Sequence, residues 1–357
     1  MTQSPCPSLL EAAVRGDRLR AEEAGTLERQ AGFHDLAQAA HAVRMARHPD
    51  PVVTYVVDRN INYSNICVCA CRFCAFFRAP GQEGGFVISR GELFNKIEET
   101  LELGGTQILL QGSHNPDLGL DFYTDMLASI KTAFPNLHIH AFSPPEIAHL
   151  AQLTGLSPRE VIQELIQAGL DSIPGGGAEI LVDRVRQAVS PNKCSAAQWL
   201  DIMRTAHHLG LRTTATMMFG HVETPAERIQ HLLAIRELQD ETGGFTAFIP
   251  WSFQPDNTRL PGRKATSIEY LRLVALSRLV LDNVDNLQVS WVTMGSKIGQ
   301  LALFFGANDF GSTMIEENVV AASGVRFRMS ARDIETCIAQ AGFLPRQRRM
   351  DYARIDS

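Results

Sequence analysis

From about residue 52 the chain alternates short apolar runs with longer amphipathic ones, and this alternation restricts the fold more than any other feature. The strand candidates are VTYVVDRNINYSN, TQILLQG, HIHAFSP, LDSIPGG, TTATMMFG, FTAFIPWSF, LQVSWVT and LALFFGAND. Between them, SRGELFNKIEETLELG, DFYTDMLASIKTAF, PREVIQELIQAG, SAAQWLDIMRTAHHLG and TPAERIQHLLAIRELQDETG repeat apolar residues at three- and four-residue steps, the period of a helix with one buried face. Each of these except the second closes on glycine, which takes the left-handed turn that stops a helix at no steric cost. Repeated strand–helix units imply a parallel sheet covered by helices. Seven or eight such units predict a closed α/β barrel of the TIM type, complete with eight strands, rather than an open doubly wound sheet.

In such barrels chemistry collects at the carboxyl ends of the strands. The residues expected there are polar or glycine-rich: Gln111–Gly112, Ser143 to Glu146, Pro174 to Glu179, Gly220–His221, Trp251–Ser252 and Asn308–Asp309. Residues 1–50 read as a helical extension, because LLEAAVRGDRLRAEEAGTLERQ and HDLAQAAHAVRMARH are amphipathic and the Pro49–Asp50–Pro51 group then breaks the pattern. Residues 51–357 read as the barrel domain with C-terminal elements packed on it. A net charge of −6 argues against a nucleic-acid binder and leaves a nucleoside-like small molecule open. The first twenty residues lack the basic start and apolar run of a secretory signal, and no stretch approaches the ~18 apolar residues of a membrane helix. These features read as a cytoplasmic protein.

Four of the seven cysteines fall within eight residues, in NICVCACRFCAFFR. In a reducing compartment such a cluster points to metal or redox chemistry rather than to disulfides. Cys67, Cys71 and Cys74 have the spacing C-x3-C-x2-C, and thiolates are soft ligands suited to iron–sulfur clusters. Three thiolates would hold three irons of a cubane and leave the fourth open, as catalytic metal sites keep a position for substrate. Structural zinc would want four ligands, and no second Cys or Cys/His pair lies nearby. Cys69 as a fourth ligand would instead make an electron carrier, but in an extended loop it would point away from its neighbours. Cys6, Cys194 and Cys337 are isolated and read as packing residues.

That spacing, with Phe73 before the last cysteine and a strand before the first, resembles the radical S-adenosylmethionine superfamily. VVDRNINYSNIC, GGTQILLQG, HIHAFSPPEI, LDSIPGGGAEIL, TTATMMFGHVET, GGFTAFIPWSFQP and FGANDFGSTMIEENV extend the likeness over about residues 52–345. They resemble the radical enzymes of the futalosine route to menaquinone and their deazaflavin-synthesis relatives. Within that branch FSPPEI and IPWSFQP are similar to the dehypoxanthine futalosine cyclase family, with the aminofutalosine synthases as siblings. The resemblance implies a [4Fe-4S] cluster on Cys67, Cys71 and Cys74, S-adenosylmethionine as cosubstrate, and a one-electron reductant such as flavodoxin or ferredoxin. It also implies a reaction: a 5′-deoxyadenosyl radical takes hydrogen from the ribose C4′, and the carbon radical closes onto the benzoate ring. An electron carrier without a substrate, or a zinc-stabilised binding protein, is the competing reading from another class. Polar strand ends speak against both.

The resemblance also distributes roles. Glu179, after Gly175–Gly176–Gly177, is expected to hold the ribose or amino group of S-adenosylmethionine, with Phe73, Gln111, Gly112, Ser143 and Arg184 as further cofactor contacts. Gln111–Gly112–Ser113 departs from the glycine–glycine–glutamate common in the superfamily. Asp309, His221 and Glu316 are the candidates for the final base or for ribose hydroxyls. Trp251 and Trp291 are candidate walls for the substrate's ring, whereas Phe253 reads as core.

Overall fold

The computed structural model describes residues 5–355. The first four residues of the expected N-terminal extension and the last two of the expected barrel domain lie outside the described residues. Helices α1 (Cys6–Arg15), α2 (Ala21–Gln30) and α3 (Phe33–Arg47) come first. They are followed by strands β1 (Val52–Val56), β2 (Asp58–Asn62), β3 (Gln107–Gln111), β4 (His138–Ala141), β5 (Ser172–Ile173), β6 (Arg212–Phe219), β7 (Phe245–Ser252), β8 (Asn286–Leu287), β9 (Asp309–Ser312) and β10 (Leu344–Gln347).

Strands β2 to β8 form one parallel sheet in sequence order, as right-handed strand–helix–strand units dictate. Each of the five helices expected from periodicity is present, from Arg90–Glu102 to Pro225–Thr242. Their starts follow from capping chemistry. Ser157 with Glu160, Ser195 with Gln198 and Thr224 with Glu227 each satisfy two orphan N–H groups reciprocally.

Where eight strands were expected, the described residues show a curled seven-stranded parallel sheet and a separate three-stranded one, β10–β1–β9. Two of the candidates explain the difference. LQVSWVT supplies strand only at its start and then turns into the helix Trp291–Met294. LALFFGAND starts in the last two residues of the helix Ser296–Ala302, passes through a 3-10 turn at Leu303–Phe305, and becomes strand only at Asp309. The two sheets touch at their edges. Gln288 and Asp309 form a parallel bridge, and Ile315 N donates to Asp58 O at 3.2 Å.

The N-terminal helices dock on the outer helical layer. Leu27, Leu36 and Ala40 are fully buried. Arg18 pairs with Asp240 at 2.5 Å and Asp282 at 2.6 Å, and Arg272 donates to the carbonyls of Glu28 and Ala31 that end α2. Among the described residues no helix is long and apolar enough to cross a membrane.

Candidate active site

The loop after β2 carries the cysteines and is clamped at both ends. Cys67 N donates to Arg78 O and Arg78 N to Asn65 O, each at 2.8 Å. The side chain of Arg259 donates to Ala70 O, and Ala70 sits at φ +47°. That left-handed residue curls the loop where an extended course was expected, which changes the place of Cys69. Its thiol is not turned away: it lies within hydrogen-bond reach of Cys67 and Cys71. Cys69 Sγ also stands 3.0 Å from His114 Nδ1 and bonds Asn192 O at 3.4 Å. The Cys69 hydrogen bond is the chief cause that lowers the Cys67 thiol to about 6 and lowers Cys71, with Lys193 adding to both; burial raises Cys74. A lowered thiol gives up its proton more readily, and the thiolate is the form that ligates metal.

The donor set fits an iron–sulfur cluster. Three thiols on one short loop offer soft ligands to separate irons.

A cavity of about 280 Å³ runs into the sheet's interior, lined by Gln111, Gly176, Gly177, Glu179, Trp251 and Trp291 among others. The glycines are there because the turn after β5 presses on its neighbours. A Cβ on Gly175 would stand 2.6 Å from Thr214 O, and one on Gly176 2.6 Å from Gln111 Nε2. Glu179 follows at φ +43°, a left-handed conformation costly for a side-chain-bearing residue. Its Oε1 accepts from Lys193 Nζ at 2.9 Å, and Lys193 Nζ lies 5.3 Å from the Phe73 ring centroid. Glu179 Oε2 is buried without a hydrogen bond, with Arg186 Nη1 at 3.6 Å. A buried carboxylate oxygen without a donor is a vacancy for a ligand hydroxyl or ammonium, and this is the observation that fits S-adenosylmethionine. Arg186 braces the turn by donating to Gly177 O at 3.0 Å and Ala178 O at 2.8 Å.

Other expected site residues lie elsewhere. Ser143 donates to the buried Glu146, which also accepts from Tyr63 and, at 3.2 Å, from Gly112 N; the three form a knot behind the cavity wall. Arg184 faces solvent, bound to Glu227 by two bonds of 2.6 Å. His221 has both ring nitrogens engaged, one by Met218 O at 2.9 Å and the other by Val222 N at 2.8 Å, the arrangement of a neutral structural imidazole. Glu316 is held by Lys96 at 2.6 Å and Asn318 at 2.7 Å; its neighbour Glu317 lines the cavity instead.

Asp309 was expected at the carboxyl end of the last strand, but it opens β9 and so sits at the opposite end. It is fully buried and takes Arg348 at 2.5 and 2.9 Å, Thr54 at 2.6 Å and Gly311 N at 2.9 Å. Four donors make it a fixed counterion at the cavity floor. Trp251 and Trp291 do line the cavity, and Phe253 is core.

The sequence reading missed a second set of cavity residues: Asp58 and Asn60, His140, Thr214 and Thr216, Gln288, and from the C-terminal segment Arg348 and Tyr352. Tyr352 Oη is buried and unpartnered, and Arg348 lies 3.9 Å over its ring centroid. The signal was a period of two. Asp58 and Asn60, His138 and His140, and Thr214 and Thr216 each recur two residues apart in a strand, which puts each pair on one face of the sheet.

Residues 61–235 match the radical SAM superfamily, and residues 242–357 match the CofH/MqnC C-terminal region. The chain is 48% identical to a cyclic dehypoxanthine futalosine synthase of Halalkalibacterium halodurans, over 97% of this chain and 94% of that one. The chain belongs to the radical SAM superfamily. Its place within that superfamily is beside the cyclic dehypoxanthine futalosine synthases. A second such synthase, from Streptomyces coelicolor, is 46% identical over 97% of this chain and 88% of that one. A Methanosarcina barkeri 5-amino-6-(D-ribitylamino)uracil–L-tyrosine 4-hydroxyphenyl transferase is 42% identical over 97% and 93%. Among solved structures, the [FeFe]-hydrogenase maturase HydG superposes with a TM-score of 0.76 at 15% identity, covering 97% of this chain and 77% of that one. Methylornithine synthase (PylB) gives 0.73 at 17%, covering 94% and 97%. These two share the fold. A radical SAM enzyme carries a [4Fe-4S] cluster and uses S-adenosylmethionine.

Proposed function

We propose that this radical SAM enzyme cyclises dehypoxanthine futalosine to its cyclic product in menaquinone biosynthesis. The supporting observation is 48% identity to a synthase of that name along nearly the full length of both chains, joined to a cavity with aromatic walls whose Glu179 is linked through Lys193 to Phe73 of the cysteine loop. Cys67, Cys71 and Cys74 would hold the cluster, and Glu179 would accept from the ribose hydroxyls or the ammonium of S-adenosylmethionine. When bound and reduced, the cluster would supply the electron for cleaving S-adenosylmethionine, and the deoxyadenosyl group so released would take the substrate's C4′ hydrogen. The residues of this chain do the rest by position. Trp251 and Trp291 offer flat apolar surface to the benzoate ring. Tyr352 Oη offers a hydrogen bond to a substrate oxygen, and the closed floor keeps water from the carbon radicals. Loss of one proton and one electron would restore the aromatic ring, the electron returning to the cluster, so that S-adenosylmethionine is the net oxidant for the whole conversion.

The edge contacts between the sheets support β9 as the eighth strand of a complete barrel, with β1 and β2 together as the first. We take residues 1–50 as a helical extension on a barrel domain of residues 51–357, in a cytoplasmic enzyme reduced by a flavodoxin- or ferredoxin-like donor.

The test is anaerobic reconstitution with iron and sulfide, then incubation with dehypoxanthine futalosine and S-adenosylmethionine. The expected product is two hydrogens lighter than its substrate, with one 5′-deoxyadenosine formed per turnover. Absence of that product, with activity instead on 5-amino-6-(D-ribitylamino)uracil and tyrosine, would overturn the proposal in favour of the transferase.

A further inference from the structure

Four groups able to accept a proton line the cavity: Asp58, His140, Glu179 and Glu317. Two already accept hydrogen bonds on both oxygens, and the third carboxylate, Glu179, keeps its unbonded Oε2 for S-adenosylmethionine. Asp58 accepts from Ser312 and from Gln107 at 2.8 Å. Glu317 accepts from Val320 N at 2.9 Å and Asn60 at 2.8 Å, and Glu179 faces Lys193 and Arg186. His140 differs. Its Nδ1 lies 2.7 Å from Ser172 Oγ, and no described protein group bonds its Nε2. The same Ser172 Oγ lies 2.7 Å from His138 Nε2. His138 opens β4 at the foot of the sheet and is partly exposed, whereas Ser172 is fully buried. A serine hydroxyl donates once and accepts twice, so it can take a proton from one imidazole while giving its own to the other. The row therefore runs from the cavity through the sheet to the face opposite the cysteine loop.

We propose that His140, Ser172 and His138 form a proton path, with His140 as the base that takes the proton lost by the cyclised ring. This rests on the proposed cyclisation. The ring C–H bond breaks, its electron pair stays in the ring, and an N–H bond forms at His140 Nε2. The Nδ1 proton of His140 passes to Ser172 Oγ as the Ser172 hydroxyl proton passes to His138 Nε2, and His138 Nδ1–H is released to water. The accompanying electron would return to the cluster, which would have given one up to cleave S-adenosylmethionine, so that S-adenosylmethionine is the net two-electron oxidant. The exit runs downward because cosubstrate and cluster would occupy the upper mouth. Burial, foremost, holds both imidazoles below their ordinary value, so both enter neutral. His140 is faced by His138 and Arg348, and His138 by Asp171, Lys131 and Asp351.

The test uses the full-length protein and the variants S172A and H138Q. With dehypoxanthine futalosine, both variants should form 5′-deoxyadenosine within about twofold of the wild type while cyclised product per deoxyadenosine falls by about 10²-fold, the scale of general-base catalysis. A second readout needs no cluster: the ¹⁵N ring signals of histidine-labelled protein should show His140 neutral with its proton on Nδ1, and S172A should lose that preference. An unchanged product ratio in both variants, or a His140 proton on Nε2 in the wild type, overturns the path. If the wild type forms no cyclised product, the reading of the reaction fails, and the ring signals still decide whether the row is arranged to conduct.

Discussion

Replacing Arg348 by Met should destabilise the protein more than any change at the surface, and the cause can be read from the floor of the cavity. Arg348 is 2% exposed and Asp309 0%, and the guanidinium supplies two of the four donors on that carboxylate. Methionine fills similar volume, so packing changes little. What remains is a buried carboxylate facing only the Thr54 hydroxyl at 2.6 Å and the Gly311 N–H at 2.9 Å. Breaking a buried ion pair from one side costs about 3–5 kcal/mol. With a urea slope of about 3 kcal/mol/M, the upper end of the small-protein range, the midpoint should fall by about 1–1.7 M. Urea titration of the cluster-free protein, followed by tryptophan fluorescence, measures it. The double variant R348M/D309N removes the stranded charge while keeping an acceptor for Thr54, and should recover more than half of the loss. An unchanged midpoint in R348M, or a double variant weaker than the single, would refute the counterion reading of Asp309.

Other outcomes follow from the same geometry. E179Q should weaken S-adenosylmethionine binding by about 10-fold or more, since hydrogen bonds to charged groups contribute about 1.5–3 kcal/mol; equilibrium dialysis of the reconstituted protein checks it. C71A should lose the cluster's iron content and brown colour, whereas C69A should keep both and still cleave S-adenosylmethionine. Y352F should raise KM for dehypoxanthine futalosine several-fold and leave kcat within twofold, because it deletes a donor without altering the wall. His231 is buried, accepts from Leu181 N at 3.0 Å, and is lowered from 6.5 to about 3, chiefly by burial. The unfolded chain therefore binds its proton first, so stability is full above pH 6.5 and declines as pH falls toward 3. H231N, whose side-chain oxygen can accept the same N–H, should flatten that decline in a pH series of urea midpoints.

Helices were legible in the sequence where capping and periodicity agreed, as at Ser157–Glu160 and Thr224–Glu227. LALFFGAND was misread because a fully apolar run has no period, and a buried helical segment cannot then be told from a buried strand. That error also moved Asp309 to the wrong end of its strand and made a counterion look like an acid–base group. The cysteine loop was legible from spacing alone. The curl at Ala70 was not, because no residue type announces a left-handed alanine, and with it went the true place of Cys69. At the cavity, single polar residues after strands were overvalued: Ser143 and His221 spend their hydrogen bonds on the protein itself. The alternating Asp58–Asn60, His138–His140 and Thr214–Thr216 pairs carried the better signal, since a polar residue facing a barrel's interior must find a partner or a ligand there.

The floor that Arg348 and Tyr352 build has a consequence for how the protein is made. The cysteine loop leaves the ribosome after roughly a fifth of the described chain, whereas the strand Leu344–Gln347 and the residues closing the cavity beneath it are among the last. A nascent chain can thus own its cluster ligands long before it owns a sealed chamber. Any radical formed on such a chain would meet water and exposed backbone. The order of synthesis makes completion of the carboxyl-terminal segment the step that builds the cavity floor.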